Sequence, residues 1–320
     1  MKNGGSLKVS CFRLKLPIDF HPLSITIKNE KMKTTLSPVV AGTMNWGVWD
    51  KNLSVTEMAN LMHVCLENKI STFDHADIYG GYTTEATFGE GFKQSKIDRS
   101  KIQLVSKCGI QLVTDNRHNS IKHYDYSKEY IIWSAENSLK NLKTDYLDVF
   151  LLHRPSPLMQ ADEIAEAIEK LKKDGKILDF GLSNFTPFQT DLIQQKTNVS
   201  YNQIQFSATH FEPMVDGSLN HMQIHHIRPM AWNPLGTIFR EDTDQTRRLK
   251  KLLARLVEKY HFGSDIILLA WIMQHPSKII PVAGTVNVAR IQQLQKASEL
   301  TLDKEDWFEI WVESRGNDVN

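Results

Sequence analysis

Residues 146–153 read YLDVFLLH, and residues 161–173 read ADEIAEAIEKLKK. The first run is almost continuously apolar, the reading expected of a strand covered on both faces. The second places Ile164, Ile168 and Leu171 on one helical face, with Gly175 positioned to close it. A strand buried on both sides and followed by an amphipathic helix is the repeating unit of a parallel α/β fold.

The same alternation extends in both directions. Strands are predicted over 38–43, 71–77, 102–108, 146–153, 178–184, 201–207, 227–233 and 278–283. A capping box, Ser54-Val-Thr-Glu57, opens a helix carrying Met58, Leu61, Met62 and Cys65 on one face. Thr186-Pro-Phe-Gln189 repeats the device with proline at the first helical position. Further helices are predicted over 127–143, 245–261, 264–274, 288–297 and 304–314. Eight strand–helix units with no Pro/Gly/Ser-rich linker favour one closed (β/α)8 TIM barrel over two doubly wound domains, and 320 residues suit that fold. The barrel domain is assigned to residues 31–320. Residues 1–30 lack helical or strand period and are expected to be an N-terminal extension, poorly ordered in part.

Composition removes several classes of function. Lys plus Arg number 38 against 37 Asp plus Glu, a formal charge of +1, so no positive field gathers nucleic acid or an anionic membrane. No run of about eighteen apolar residues spans a bilayer, and the start lacks the apolar stretch of a secretory signal. Cys11, Cys65 and Cys108 form no C-x-x-C pair. A cytoplasmic, reducing location is expected.

In a barrel the chemistry gathers where strands end. The second strand ends STFDHADIYGG with Asp74, His75, Asp77 and Tyr79; the third ends in Lys107; the fourth ends in His153. Each has an ordinary structural reading: an ion pair filling the barrel mouth, a core histidine, a rim aromatic. Together they address a proton-transfer problem. A free phenol titrates near ~10 and donates poorly to a carbonyl oxygen. An ammonium about 4 Å away, at an effective dielectric near 20, is worth roughly 4 kcal/mol, or at most about three pKa units. Lys107 is therefore expected to acidify Tyr79, with Asp74 keeping the lysine charged and His153 donating to the carbonyl or sharing the proton.

Here the sequence resembles the aldo-keto reductases. Asp74-His-Ala-Asp-Ile-Tyr79 fits the family's Asp-x-Ala-x-x-Tyr stretch, and Val-Ser-Lys107 and Leu-Leu-His153-Arg-Pro follow in register. The resemblance implies that Tyr79 is the general acid and base, with Asp74, Lys107 and His153 completing a catalytic tetrad. It further implies a hydride source, which no side chain supplies. By resemblance Ser183, Asn184 and Gln203 hold the nicotinamide, Trp232 stacks on it, and Asn233, Pro234, Leu235 and Gly236 line the pyrophosphate. Gly42, Thr43 and Met44 match the opening turn that approaches the cofactor through its backbone. Gly284, Thr285 and Arg290, on the turn into a helix, match the stretch that binds an adenosine 2′-phosphate, which favours NADPH. The chain departs from many relatives at Asn287, Gln293 and Leu294, where a lysine and a Glu-Asn pair commonly hold adenosine.

The expected function is hydride transfer from NADPH to an aldehyde or ketone, by a monomer acting on a small molecule. Trp46, His123 and Tyr124 are expected to contact substrate, the last two on a polar loop over 111–126 that would overhang the rim. Two other readings stay open. One is a metal-dependent barrel hydrolase using His75, Asp77 and His153, although the nicotinamide reading assigns no metal. The other is a non-catalytic NADPH-binding protein.

Overall fold

A computed structural model describes Met1 and residues 34–319. The extension expected over 1–30 and the first residues of the barrel domain, 31–33, otherwise lie outside the described residues.

Strand β1 (Val40–Gly42) leads through helix α1 (Val55–Glu67) to β2 (Thr72–Asp74), whose outgoing turn contains the short α2 (Tyr79–Tyr82), followed by α3 (Thr84–Ser95). Next come β3 (Gln103–Cys108), the short strands β4 (Ile110–Gln111) and β5 (His123–Tyr124), α4 (Lys128–Leu142), β6 (Leu147–Leu152) and α5 (Ala161–Lys173). Then β7 (Ile177–Ser183), α6 (Pro187–Gln194), β8 (Tyr201–Gln205), α7 (Ser218–Ile224) and β9 (Arg228–Trp232) follow. The chain ends with α8 (Asp244–Tyr260), α9 (Ser264–Met273), β10 (Ile280–Ala283), α10 (Val288–Leu294) and α11 (Lys304–Arg315). Eight strands close a parallel barrel in the order β1, β2, β3, β6, β7, β8, β9, β10, with β10 pairing back onto β1 through Val40 opposite Val282. The eight-strand barrel and all eight strand positions expected from sequence are present.

Alternation along each strand divides the side chains between two cores. Val105, Val149, Leu151, Tyr201, Met230, Ile280 and Val282 pack together in the barrel interior, joined by Leu36 from the segment ahead of β1. The Tyr201 hydroxyl donates to the Thr34 carbonyl at 2.8 Å, so that segment is tied into the barrel. A larger core, with Met58, Phe88, Ile131, Ile164, Leu253 and Trp271 among its members, lies between strands and helices. The interior parity continues upward: two residues beyond Val105 is Lys107, two beyond Leu151 is His153, two beyond Tyr201 is Gln203, and two beyond Met230 is Trp232. One period-2 pattern thus supplies an apolar floor and a polar mouth.

Helix termini follow their sequence signals. Ser54 and Thr186 each complete a capping box, with Glu57 and Gln189 as the reciprocal partners. Helix α3 was not expected, because Gly89 and Gly91 dilute its apolar period. Gly89 is there for contact: a Cβ on it would stand 1.9 Å from the Asn141 carbonyl oxygen at the end of α4. The polar 111–126 loop is anchored by the antiparallel β4–β5 pair, with Ile110 opposite Tyr124 and Gln111 opposite His123.

Candidate active site

Lys107, the last but one residue of β3, is fully buried, and its ammonium has three partners. It donates to Asp74 Oδ2 at 2.8 Å, to the His75 carbonyl at 2.6 Å and to the Tyr79 hydroxyl at 3.2 Å. Asp74 reaches this point as the last residue of β2, and Tyr79 five residues later as the first of α2. Its chain is turned inward by Gly80 and Gly81, both at positive φ. His153 stands at the end of β6 with its ring edge-on to Tyr79, centroids 6.1 Å apart. Its Nδ1 is buried without a hydrogen-bond partner. The four residues of the expected tetrad are therefore brought together.

The electrostatics correct one expectation. Burial is the largest influence on the Tyr79 phenol and pushes it above its ordinary value, while the Lys107 ammonium pulls the other way. The lysine does not make the phenol more acidic overall, because phenolate loses more hydration here than an ammonium already paired with Asp74 returns. Burial also opposes the charge on Lys107, but Asp74 and Tyr79 outweigh it and hold the amine above its ordinary value. His153 is depressed well below the usual imidazole range, by burial first and Lys107 second, so it is neutral at neutral pH.

Gln203 is tied to this cluster. Its Nε2 donates to Asp74 Oδ1 at 2.9 Å, leaving neither carboxylate oxygen unpartnered. Asn184, at positive φ just past β7, accepts from Trp232 Nε1 and donates to Ser183 Oγ, each at 2.8 Å. The half-buried Trp232 ring is thereby fixed at the rim, with the Arg154 guanidinium 5.5 Å from its centroid. An open pocket of about 440 Å³ lies beside it, bounded by Arg154, Asn184, Thr186, His210, Asp216 and Trp232 among others.

Asn233 to Gly236 form a tight turn. Asn233 has positive φ, and the Gly236 N–H donates to its carbonyl at 2.8 Å. Gly236 is also at positive φ, and a Cβ on it would meet Thr209 Oγ1 at 1.9 Å. Pro234 is buried and Leu235 half-buried. Arg240, which the sequence reading did not single out, bridges this turn by donating to Asn233 Oδ1 at 2.9 Å and to the Gly236 carbonyl at 2.7 Å. On the other side of the mouth, Gly42 closes β1, Met44 is exposed, and the buried Thr43 spends both its N–H and its hydroxyl on the Asp74 carbonyl. Gly284 is exposed, and the Thr285 hydroxyl accepts from the Asn287 N–H. Asn287 caps α10 by accepting from the Arg290 N–H, Leu294 is buried, and the exposed Arg290 side chain makes no ion pair among the described residues.

Trp46 departs from expectation. It is fully buried in the core between strands and helices, 6.0 Å from both Phe73 and Phe88. Trp49, three residues on and half exposed, is the tryptophan that meets Tyr79, edge-on at 6.1 Å. Tyr124 packs beside the cluster of Ala76, Ile78, Tyr79 and Ile110, whereas His123 is exposed and bonds the Ile121 carbonyl. The hydrolase ligand set is not assembled. His75 Nδ1 bonds Thr43 Oγ1 and its ring meets Phe88 at 4.2 Å, with burial foremost holding the imidazole down to about 3. Asp77 accepts from Tyr130 and Ser134 on α4. Both therefore engage residues outside the barrel interior, the alternate parity to His153.

Comparison with known proteins shows the family and the fold. The sequence model of the Aldo/keto reductase family matches residues 38–311. The chain is 41% identical over 290 residues to the oxidoreductase YcsN of Bacillus subtilis (strain 168), covering 88% of this chain and 96% of that one. It is 36% identical to a 6-dehydroglucose reductase of Agrobacterium fabrum, covering 90% and 97%. The thermostable aldo-keto reductase Tm1743 superposes with a TM-score of 0.75 at 22% identity, covering 89% of this chain and 98% of that chain. An aldo-keto reductase from Klebsiella pneumoniae, solved in complex with NADPH, gives 0.68 at 20% identity, covering 86% and 90%. The chain belongs to the aldo/keto reductase family. It is an oxidoreductase of a family that acts on small-molecule carbonyl compounds with nicotinamide cofactors.

Proposed function

We propose that the protein reduces an aldehyde or ketone with NADPH and that Tyr79 is the proton donor. The observation that carries this reading is the buried Lys107 ammonium held between Asp74 Oδ2 and the Tyr79 hydroxyl where β2 and β3 end. Like any phenol Tyr79 is protonated at neutral pH, and burial raises it further, so a donatable proton is in place. The ammonium then acts as the proton leaves: it stabilises the developing phenolate, which is where preorganised charge lowers a barrier. His153, neutral and edge-on to Tyr79, supplies a ring N–H for the carbonyl oxygen and orients it toward Tyr79.

The residues present fit a nicotinamide cofactor. Trp232 offers a fixed aromatic face at the rim, and the Ser183 hydroxyl proton and the second Asn184 amide hydrogen remain available for a carboxamide. When bound, the cofactor supplies the hydride. The Asn233–Gly236 turn, steadied by Arg240, would hold the pyrophosphate, and Gly42, Thr43 and Met44 would line the same cleft. Gly284, Thr285 and the unpaired Arg290, at the start of α10, suit an adenosine 2′-phosphate and favour NADPH. The Klebsiella pneumoniae neighbour, solved with NADPH, supports that choice. Substrate would rest against Trp49, Tyr124 and Arg154, with His123 at the outer edge. This chain assembles the whole mouth by itself, so a monomer suffices. No described helix is long and apolar enough to cross a membrane, and the free, buried Cys65 and Cys108 suit a reducing cytoplasm.

The test is Tyr79→Phe. The variant should bind NADPH as the parent does, by tryptophan fluorescence quenching, and lose turnover of an aldehyde panel by about a hundredfold or more. Undiminished turnover would remove Tyr79 from the reaction. NADPH binding by the parent without turnover of any carbonyl would point to the non-catalytic reading.

A further inference from the structure

Outside the barrel mouth, two helices present a second cluster. The stretch Ser218-Leu-Asn-His-Met-Gln-Ile-His-His226 places His221 and His225 four residues apart, one helical turn, on the same face of α7 and its C-cap. The two imidazoles lie with centroids 4.4 Å apart. Both turn Nε2 to one atom on the neighbouring α6: His221 Nε2 is 2.7 Å and His225 Nε2 3.6 Å from Asp191 Oδ1. Among the described residues this is the one group of three His, Cys, Asp or Glu side chains whose ligand atoms lie within 4.8 Å of one another. All three residues are half-buried, and the His225 and Asp191 side chains remain 37% and 40% exposed.

We propose that Asp191, His221 and His225 bind a divalent transition-metal ion of the zinc type and that the ion clips α6 to α7. Two imidazole nitrogens and one carboxylate oxygen form a borderline donor set of the kind Zn2+, Ni2+ and Cu2+ accept and Mg2+ and Ca2+ do not favour. With bonds of about 2.0–2.1 Å, tetrahedral ligand atoms stand roughly 3.4 Å apart, and the separations of 2.7 and 3.6 Å straddle that figure. All three ligand atoms lie within 4.8 Å of one another, so side-chain rotation can close them on the ion, and the open side leaves its fourth position to water. The N-cap of α6, Thr186, and the first residue of α7, Ser218, both line the pocket beside Trp232, so the clip fixes two walls of that pocket relative to each other.

The test is calorimetric titration of tag-free, full-length protein with Zn2+, with Co2+ absorption as a second readout. The parent should take up one Zn2+ per chain and melt at a higher temperature with it, as linkage requires. His221→Ala and Asp191→Asn should each weaken that event by roughly tenfold or more and abolish the zinc-dependent rise in melting temperature. His225→Ala, which leaves the His221–Asp191 hydrogen bond in place, should weaken binding without altering the metal-free melt. Absence of binding to the parent would overturn the proposal, as would binding of equal strength in His225→Ala.

Discussion

The Gln203 side-chain amide donates to Asp74 Oδ1 across the barrel mouth at 2.9 Å, while the opposite carboxylate oxygen takes the Lys107 ammonium. The resemblance expects Gln203 to hold the nicotinamide carboxamide. Because its amide also donates to Asp74, we propose that it positions Asp74 and, through Asp74, the ammonium beside Tyr79.

Gln203→Leu strips a hydrogen bond from a buried carboxylate, an interaction worth about 1.5–3 kcal/mol. Turnover at saturating NADPH should fall by roughly ten- to a hundredfold, with the NADPH dissociation constant little changed. A rise in the dissociation constant with turnover spared would instead make Gln203 a direct cofactor ligand.

Two tryptophans three residues apart should behave differently. Trp46→Ala empties a fully buried site between Phe73 and Phe88 and should cost about 3–5 kcal/mol in urea denaturation. Trp49→Ala, half exposed against Tyr79, should leave stability within about 0.5 kcal/mol and change KM for the carbonyl substrate.

Cofactor preference is read at Arg290. Arg290→Ala should raise the NADPH dissociation constant by about tenfold and leave that for NADH unchanged, since only the former carries a 2′-phosphate. Equal weakening of both would detach Arg290 from that phosphate.

Asp77 gives the protein a pH-dependent stability. Burial first, then the nearby Glu85, raises its carboxyl to about 7, against an ordinary value of 3.8. Between those values the folded chain binds a proton that the unfolded chain has released, so this group's contribution is full below the lower value and is lost as pH rises through the upper one. Asp77→Asn removes the titration. Urea midpoints measured at pH 5 and pH 8 should show a larger alkaline loss in the parent than in the variant, and equal losses would contradict the assignment.

The barrel was legible because its period-2 strands and 3.6-period helices are strongly apolar where they must be, and the tetrad because its residues close those strands. What escaped had weaker local signals. Helix α3 trades apolar residues for Gly89 and its contact with α4. Trp46 and Trp49 share one loop, and a web of backbone bonds across residues 43–53 that no local pattern announces sets which is buried and which meets Tyr79. Arg240 reaches the Asn233–Gly236 turn from several residues downstream through a backbone carbonyl and an amide, a link no spacing rule announces. The phenol's pKa was misjudged for a different reason: sequence names the neighbouring charge but not how thoroughly water is excluded.

The pairing of β10 with β1 sets Val40 against Val282. In a chain emerging from the ribosome, the opening strand must wait for almost the entire remaining polypeptide before its seam partner exists. Until then two unsatisfied edges remain exposed, a standing invitation to intermolecular pairing. Such long-range closure also predicts slow maturation, and a truncation ahead of residue 280 would leave an unsealed cylinder rather than a smaller enzyme.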